Sequence, residues 1–175
     1  MIGIAICLIA TVIPNALNAA KIEWKTVPVD SLNTYFRGSA LGLHLSQSKS
    51  AYTSNGIKFE YSSWAGNSRF GIIFSKLADP GRLFKAGKDW SNVETEVQTF
   101  FRYLKNKSLK WNRRESVGNS LGSFTMHLFN ADTESCMAYK FDVGEGYNAD
   151  GARGIVTFLY CQPENFNLEL AKSFV

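Results

Sequence analysis

The clearest periodic pattern in the chain is helical and begins at residue 91. Ser91-Asn92-Val93-Glu94 fits a capping box, in which the Ser hydroxyl and the Glu carboxylate each satisfy a backbone N–H that has no intrahelical partner. Apolar residues then recur at helical spacing. They form one stripe of Val93, Val97, Phe100, Phe101 and Leu104. The pattern predicts one main amphipathic helix in this segment.

Much of the remaining chain has strand-like runs: those over 40–46 and 57–62 alternate between apolar and polar residues, as half-buried β-strands do, and others are rich in β-branched and aromatic residues. The strand-like runs are 22–29, 40–46, 57–62, 69–76, 109–117, 123–129, 135–143 and 153–161. Asn55-Gly56 is the strongest hairpin signal, and Gly66-Asn67 predicts the next turn. A short last helix is predicted from Pro163, because proline is favoured at the first helical position. These elements predict an α+β domain with an antiparallel, meander-like sheet of several strands, one main amphipathic helix and a short C-terminal helix.

The first twenty residues carry no charged side chain and differ from the rest of the chain. An apolar run over residues 2–13 is broken by Pro14 and Asn15, and small residues follow before Lys21. This pattern predicts a secretory signal peptide over residues 1–20 and a single globular domain over residues 21–175. An uncleaved anchor or a buried N-terminal helix is the alternative. The mature chain would be secreted or periplasmic, without a transmembrane span.

The cysteines support export. Only Cys136 and Cys161 lie outside the predicted leader, and each lies in a strand-like run. When the two runs are folded about the glycine-rich loop between them, residue 143 pairs with 153 or 154. The same register places the two cysteines opposite each other across an antiparallel pair. We therefore predict a Cys136–Cys161 disulfide, with free buried thiols or a redox-active pair as alternatives.

Charge is unevenly distributed, although the formal net charge is only +4. Positions 69–114 contain eleven bases and four acids, whereas positions 130–175 contain three bases and seven acids. Six bases and an interleaved Trp define a predicted basic patch: Arg102, Lys105, Lys107, Lys110, Trp111, Arg113 and Arg114. Such a patch can bind phosphate-rich polymers, anionic lipid headgroups or acidic glycans. The alternative is a solvated helix end followed by an edge strand that Lys and Arg protect.

Three further motifs have plain structural explanations. Gly118-Asn119-Ser120-Leu121-Gly122 matches the G-x-S-x-G pattern of serine hydrolases, but a strand-like run follows it where a helix is needed, so a hairpin turn is predicted. His44 and His127 are the only histidines, and acid–base chemistry would require them to meet each other or an acid. The loop between the two cysteine strands lacks the end carboxylates of a calcium loop, so no metal site is predicted.

These observations favour an exported, non-enzymatic binding or interaction protein of the periplasm or the cell exterior, with no cofactor. Its partner would be an anionic envelope component, bound by the basic patch, or another protein; intracellular nucleic acid is not expected. Some of the many aromatic residues could line a hydrophobic or sugar-binding groove. The alternatives are a small secreted hydrolase that uses Ser120 with a His, and a structural subunit of an assembly.

Overall fold

The computed structural model describes residues 22–34, 42–78, 84–85, 93–119, 122–145 and 151–165. The strands in these ranges are β1 (Lys25–Thr26), β2 (His44–Tyr52), β3 (Ile57–Gly66), β4 (Arg69–Ala78), β5 (Phe84–Lys85), β6 (Leu109–Asn119), β7 (Gly122–Ala131), β8 (Glu134–Glu145) and β9 (Gly151–Gln162). One α-helix, α1 (Val93–Phe100), and two 3₁₀ turns, Val29–Ser31 and Arg102–Leu104, complete the regular structure of the described residues.

All the strands belong to one antiparallel sheet. Its order is β1-β2-β3-β4-β9-β8-β7-β6, and β5 pairs with the start of β9 beyond the end of β4. Strands β1 to β4 and strands β6 to β9 therefore form two meanders, which are joined where β4 pairs with β9. Each meander is built from hairpins between consecutive strands, which are the connections that short loops favour.

The predicted α+β class, with a main amphipathic helix, is wrong, because the structure is mostly one antiparallel sheet. Helix α1 has only eight residues, and it ends where the backbone of Phe101 becomes extended (φ −97°, ψ 102°). Three residues of the apolar stripe are nevertheless buried against the sheet, Val97, Phe101 and Leu104, whereas Phe100 is 45% exposed. An extended residue and a 3₁₀ turn bring Phe101 and Leu104 inward, so the spacing did not require a continuous helix. Residues 163–165, at the start of the predicted C-terminal helix, are exposed and not helical, and the part from residue 166 onward is outside the described residues.

The turns between the strands follow the predicted signals closely. The β2–β3 turn contains the predicted Asn55-Gly56, and Gly56 adopts a φ of +72° there, a conformation that glycine accommodates without strain. The β3–β4 turn is Asn67-Ser68, one residue later than predicted, and both residues have positive φ. A two-residue turn with that geometry matches the right-handed twist of the strands it joins. Asn119 pairs with Gly122, so the glycine-rich motif is a hairpin turn, as predicted.

The N-terminal strands differ most from the prediction. Only Lys25–Thr26 of the run 22–29 is a strand, and the run predicted over 40–46 begins instead at His44 and continues to Tyr52. Leu43 is buried, but Leu45 is 38% exposed, so the predicted apolar face is not continuous. The register with β3 then shifts between Leu45 and Gln47, where a β-bulge interrupts the regular pairing.

Both faces of the sheet carry a hydrophobic cluster. We call the face against which α1 packs the helix face; its cluster includes Ile72, Val97, Phe101, Leu104, Phe129, Ala138, Leu159 and the two cysteines. The opposite face carries Leu43, Trp64, Ile73, Phe124, Met126, Met137, Tyr139, Val156, Phe158 and Tyr160. Burial on both faces explains why the central strands are so rich in large apolar residues.

A buried carboxylate holds the segment before β2 against the opposite face. Glu60 on β3 is 1% exposed, and its carboxylate accepts hydrogen bonds from the backbone N–H groups of Asn33 and Thr34 at 3.0–3.1 Å. The Ser75 hydroxyl donates to it at 3.3 Å, and the Lys58 ammonium lies 2.6 Å away. Burial is the largest single influence on Lys58 and lowers its pKa, but the hydrogen bond to Glu60, the charge of Glu60 and the nearby Tyr52 together outweigh burial and raise the pKa of that ammonium.

The predicted disulfide is present. Cys136 on β8 and Cys161 on β9 are direct register partners, with an S–S distance of 2.04 Å and a Cα–Cα distance of 4.1 Å. The same register extends along the hairpin and pairs Val143 with Gly154, one of the two predicted partners. Both cysteines are fully buried on the helix face. The disulfide therefore fastens the central hairpin beneath the segment that contains Val97 and Leu104.

Candidate functional site

A groove runs between α1 and the sheet on the helix face. Its floor is formed by side chains of β4, β9 and β8, and its roof by one side of α1. The cavity has a volume of about 410 Å³ and a mainly apolar lining. The lining residues are Phe74, Lys76, Thr95, Glu96, Thr99, Phe100, Lys140, Ile155 and Thr157. A volume of this size is in the range of small-molecule sites.

A second cavity, of about 520 Å³, adjoins the first and shares Phe74 and Phe100 with it. Its other lining residues come from β3, β4 and the end of the helical segment: Tyr61, Phe70, Ile72, Phe101, Arg102 and Tyr103. We refer to the two cavities together as the aromatic groove. Phe100 lies at their junction and is 45% exposed, which is unusual for a phenylalanine.

The aromatic side chains of the groove contact one another in a chain. The ring centroid of Phe74 lies 5.1 Å from that of Phe100 and 5.8 Å from that of Phe59. Trp24, itself 38% exposed, lies 6.4 Å from Phe74 and extends the aromatic surface beyond β3. At the other end, the Phe70 ring stacks on Tyr103 at 4.6 Å. Edge-to-face and stacked pairs at these distances hold the rings in fixed positions.

The charges at the groove come from two lysines and one glutamate in the first cavity and from Arg102 in the second. Lys76 and Glu96 each make a further interaction. Lys140 on β8 is half-buried, and none of the ion pairs among the described residues includes it. An ammonium held beside apolar walls favours an anion more strongly than one in open solvent, since the local dielectric constant is lower.

The structure does not bring the residues of the predicted basic patch to one concave surface. Arg102 and Lys105 follow α1, whereas Lys110, Arg113 and Arg114 lie on β6, which ends the strand order. Arg113 forms an ion pair with Glu115 on its own strand. Trp111 packs on Phe129, with ring centroids 4.6 Å apart. As a binding surface the patch stays a prediction.

Lys107 of the same patch belongs to a tight local cluster. Its ammonium bonds to the Glu134 carboxylate and lies 4.6 Å from the centroid of the Tyr103 ring. The Tyr103 hydroxyl donates to Glu134 at 2.7 Å. Burial, together with the bond to Glu134, raises the pKa of Tyr103; for Lys107 burial acts in the other direction, but the bond to Glu134 raises its pKa. These three side chains fasten the 3₁₀ turn to the start of β8.

The alternative hydrolase residues are not assembled. Ser120 lies outside the described residues, and its motif joins two antiparallel strands, so the helix that a nucleophile elbow needs does not follow it. His127 is fully buried on β7, where its ring lies 6.4 Å from that of Trp111. His44 is exposed at the start of β2, and four strands lie between β2 and β7. The two histidines therefore do not form a pair.

Metal chemistry finds no support in the described part of the chain. No group of three or more His, Cys, Asp or Glu side chains in these ranges could hold a metal ion. The centre of the glycine-rich loop between β8 and β9, considered above as a calcium loop, lies outside the described residues.

Sequence reasoning missed the floor of the groove. Phe74, Thr157 and Lys140 lie on three different strands and become neighbours only because β4 pairs with β9 and β9 with β8. The register of the β8–β9 hairpin could be predicted from the sequence, and it places Lys140 beside Thr157. No local signal shows that β4 joins them, because 83 positions separate Phe74 from Thr157.

Together the fold and the groove define a disulfide-bonded antiparallel sheet domain with an aromatic cleft under a short helix. Comparisons of the chain with family models, with curated proteins and with solved structures give no match. Among the described residues, α1 is too short to cross a membrane, and no other helix there is long and apolar enough to do so.

Proposed function

We propose that this chain is an exported, non-enzymatic binding protein and that the aromatic groove binds a small apolar ligand. The observation that carries the proposal is the half-exposed Phe100 ring, which lies at the junction of two cavities with mainly apolar linings. Concave sites that combine apolar walls with a few polar groups are the usual small-molecule sites of proteins. The fixed ring contacts of Phe74 with Phe59 and Phe100 mean that the site is largely formed before binding.

Two observations support export to the periplasm or the cell exterior. Residues 1–20 have the pattern of a secretory signal, and the mature domain contains a buried disulfide. Disulfides persist mainly in oxidising compartments. Intact-mass analysis of the natively produced protein tests this part: we expect a chain that begins near residue 21 and is two mass units lighter than its reduced form. A chain that retains Met1 would contradict it.

Binding is tested with the neutral apolar fluorophore N-phenyl-1-naphthylamine, whose emission rises in apolar sites. We expect saturable binding by the wild-type protein and an affinity about fivefold lower in Phe100→Ala, because a ring contact is worth about 1 kcal/mol. Tyr52→Ala is the matched control, since Tyr52 is also an exposed aromatic residue and lies outside the groove. Far-UV circular dichroism verifies that both variants fold.

Two outcomes would overturn the groove proposal. One is no saturable binding by the wild-type protein. The other is an equal loss of affinity in Phe100→Ala and Tyr52→Ala, which would mean that the probe binds exposed aromatic side chains in general.

The basic patch remains a second candidate surface for an anionic envelope component. Lys105, Lys110 and Arg114 are exposed, and the described residues offer them no carboxylate partner in an ion pair. Retention on a polyanion resin that falls steeply with salt would support this surface. Retention that does not depend on salt would rule out the basic patch as the binding surface.

A further inference from the structure

The floor of the aromatic groove contains one straight row of side chains across four strands. Tyr61 on β3 pairs with Phe74 on β4, Phe74 pairs with Thr157 on β9, and Thr157 pairs with Lys140 on β8. Directly paired residues project to the same face of a sheet, so all four lie on the helix face. Three strand spacings separate the ends of the row, which is about 14 Å.

The row changes in chemistry from one end to the other. Its first half consists of two aromatic rings, and its second half consists of a hydroxyl and an ammonium. Lys76 also lines the first cavity, but it lies on β4 two residues after Phe74, pairs with Ile155 and makes an interaction of its own, so it is not at the lysine end of the row. The side chains that line the first cavity carry a net charge of +1, from two lysines and Glu96, whereas the second cavity is mostly aromatic and adds Arg102.

Asp142 is the other acid close to this end. It lies two residues after Lys140 on β8 and pairs with Ile155, but it does not line the cavity, and it makes an interaction of its own. Arg102 at the second cavity is exposed to solvent. Water and salt screen an exposed cation more than a half-buried one. Lys140 is thus the cation best placed to select a ligand.

We propose that the ligand is a free single-chain amphiphile with an anionic head group, of the long-chain carboxylate class. Its head group binds at Lys140, within reach of the hydroxyl of Thr157, and its alkyl tail lies along Phe74 and past Phe100 toward Tyr61. This inference rests on the proposed function, since it assigns the ligand of the same groove. Each methylene that leaves water on the aromatic floor adds to affinity, which favours a long tail over a short one.

The test is competition against bound N-phenyl-1-naphthylamine by three competitors that share a twelve-carbon chain, each kept below its micelle concentration or solubility limit. Dodecanoate is anionic, dodecanol is neutral and dodecyltrimethylammonium is cationic. We expect dodecanoate to displace the probe at a concentration at least about tenfold lower than the cation does, with dodecanol between them. A tenfold preference corresponds to about 1.4 kcal/mol of charge discrimination.

Two variants assign the preference to a residue. Lys140→Met keeps a long apolar side chain without the charge, and it should bind the probe normally while it loses most of the preference for dodecanoate. Lys25→Met is the matched control, since Lys25 is an exposed lysine on β1 that lines neither cavity, and it should keep the preference. A preference that survives in Lys140→Met, or that disappears in Lys25→Met as well, overturns the assignment.

The outcomes separate this inference from the proposed function. If the probe does not bind the wild-type protein, the groove itself fails as a site. If the probe binds and all three competitors displace it equally, only the anionic head group is refuted. Co-sedimentation with anionic phospholipid vesicles, without displacement of the probe by dodecanoate, would show a membrane-surface contact and would also overturn the inference.

Discussion

Replacement of the buried carboxylate Glu60 by glutamine should destabilise the protein more than any comparable change at the surface. Glu60→Gln preserves the shape of the side chain but removes its charge and one acceptor oxygen. If the amide oxygen remains near Thr34 and Ser75, the amide nitrogen faces the Lys58 ammonium, which lies 2.6 Å from the wild-type carboxylate. Two donors then face each other, and the ion pair is lost.

The expected loss can be worked out from these contacts. A hydrogen bond to a charged group contributes about 1.5–3 kcal/mol, and a neutral one about 0.5–1.5 kcal/mol. The variant loses the bond to Lys58 and weakens those from Asn33, Thr34 and Ser75. Lys58 is 16% exposed and can turn partly toward water, which reduces the cost. We therefore expect a decrease of about 2–4 kcal/mol in the free energy of unfolding.

Urea denaturation followed by tryptophan fluorescence measures this loss. Glu23→Gln, at an exposed glutamate, is the matched control and should change stability by less than about 0.5 kcal/mol. In Lys58→Met/Glu60→Gln no unpaired buried charge remains, so the double variant should lose less than the sum of the two single variants. If Glu60→Gln lowers the free energy of unfolding no more than Glu23→Gln does, Glu60 does not hold the segment before β2.

Three further predictions test other parts of the fold. Replacement of both Cys136 and Cys161 by serine should lower stability by about 3–4 kcal/mol on the chain-entropy model, measured by urea denaturation, and an unchanged urea midpoint would contradict this. Burial raises the pKa of Tyr139, so the unfolded chain loses that proton first and stability should fall as the pH rises above about 10; Tyr139→Phe should show a shallower fall, and an equally steep one would refute the reasoning. Gly66→Ala would place a Cβ 2.6 Å from the backbone oxygen of Gly42 and should lower the free energy of unfolding by about 1–3 kcal/mol. An unchanged thermal melting temperature would show that the β3–β4 hairpin can shift to make room for the Cβ.

The local parts of the fold were predictable from sequence. Asn55-Gly56 marked a real hairpin, and the register of the β8–β9 hairpin placed Cys136 opposite Cys161. Both predictions depend on residues that are close in sequence, where turn geometry fixes the pairing. For the same reason the meander arrangement within each half of the sheet could be anticipated.

The helical segment was predicted less well. Its spacing suggested a helix through Leu104, but the backbone becomes extended at Phe101 and a 3₁₀ turn follows. Val97, Phe101 and Leu104 of the stripe are buried although Phe100 is not, and more than one backbone path can bury those three side chains. Val97, Phe101 and Leu104 pack in one cluster with Ile72 and Leu159. Tertiary packing of this kind commonly overrides local helix propensity, which accounts for the shorter helix.

The groove could not have been predicted from the sequence, because it depends on the β4–β9 pairing that connects the two meanders. Phe74 meets Thr157 and Lys140 through the β4–β9 pairing, which no turn or motif specifies. The basic patch could be recognised because its seven residues all lie between positions 102 and 114. Alternation along β6 and pairing with Glu115 and Glu134 disperse or neutralise part of that charge in the fold.

The claim that the groove is a ligand site is tested most directly by methyl NMR during a titration with dodecanoate. Ile155 lines the groove, and Ile73 lies on the opposite face of the same sheet. The predicted result is a saturable shift of the Ile155 methyl resonance, with little change at Ile73. An unshifted Ile155, or equal shifts on both faces, would contradict the account.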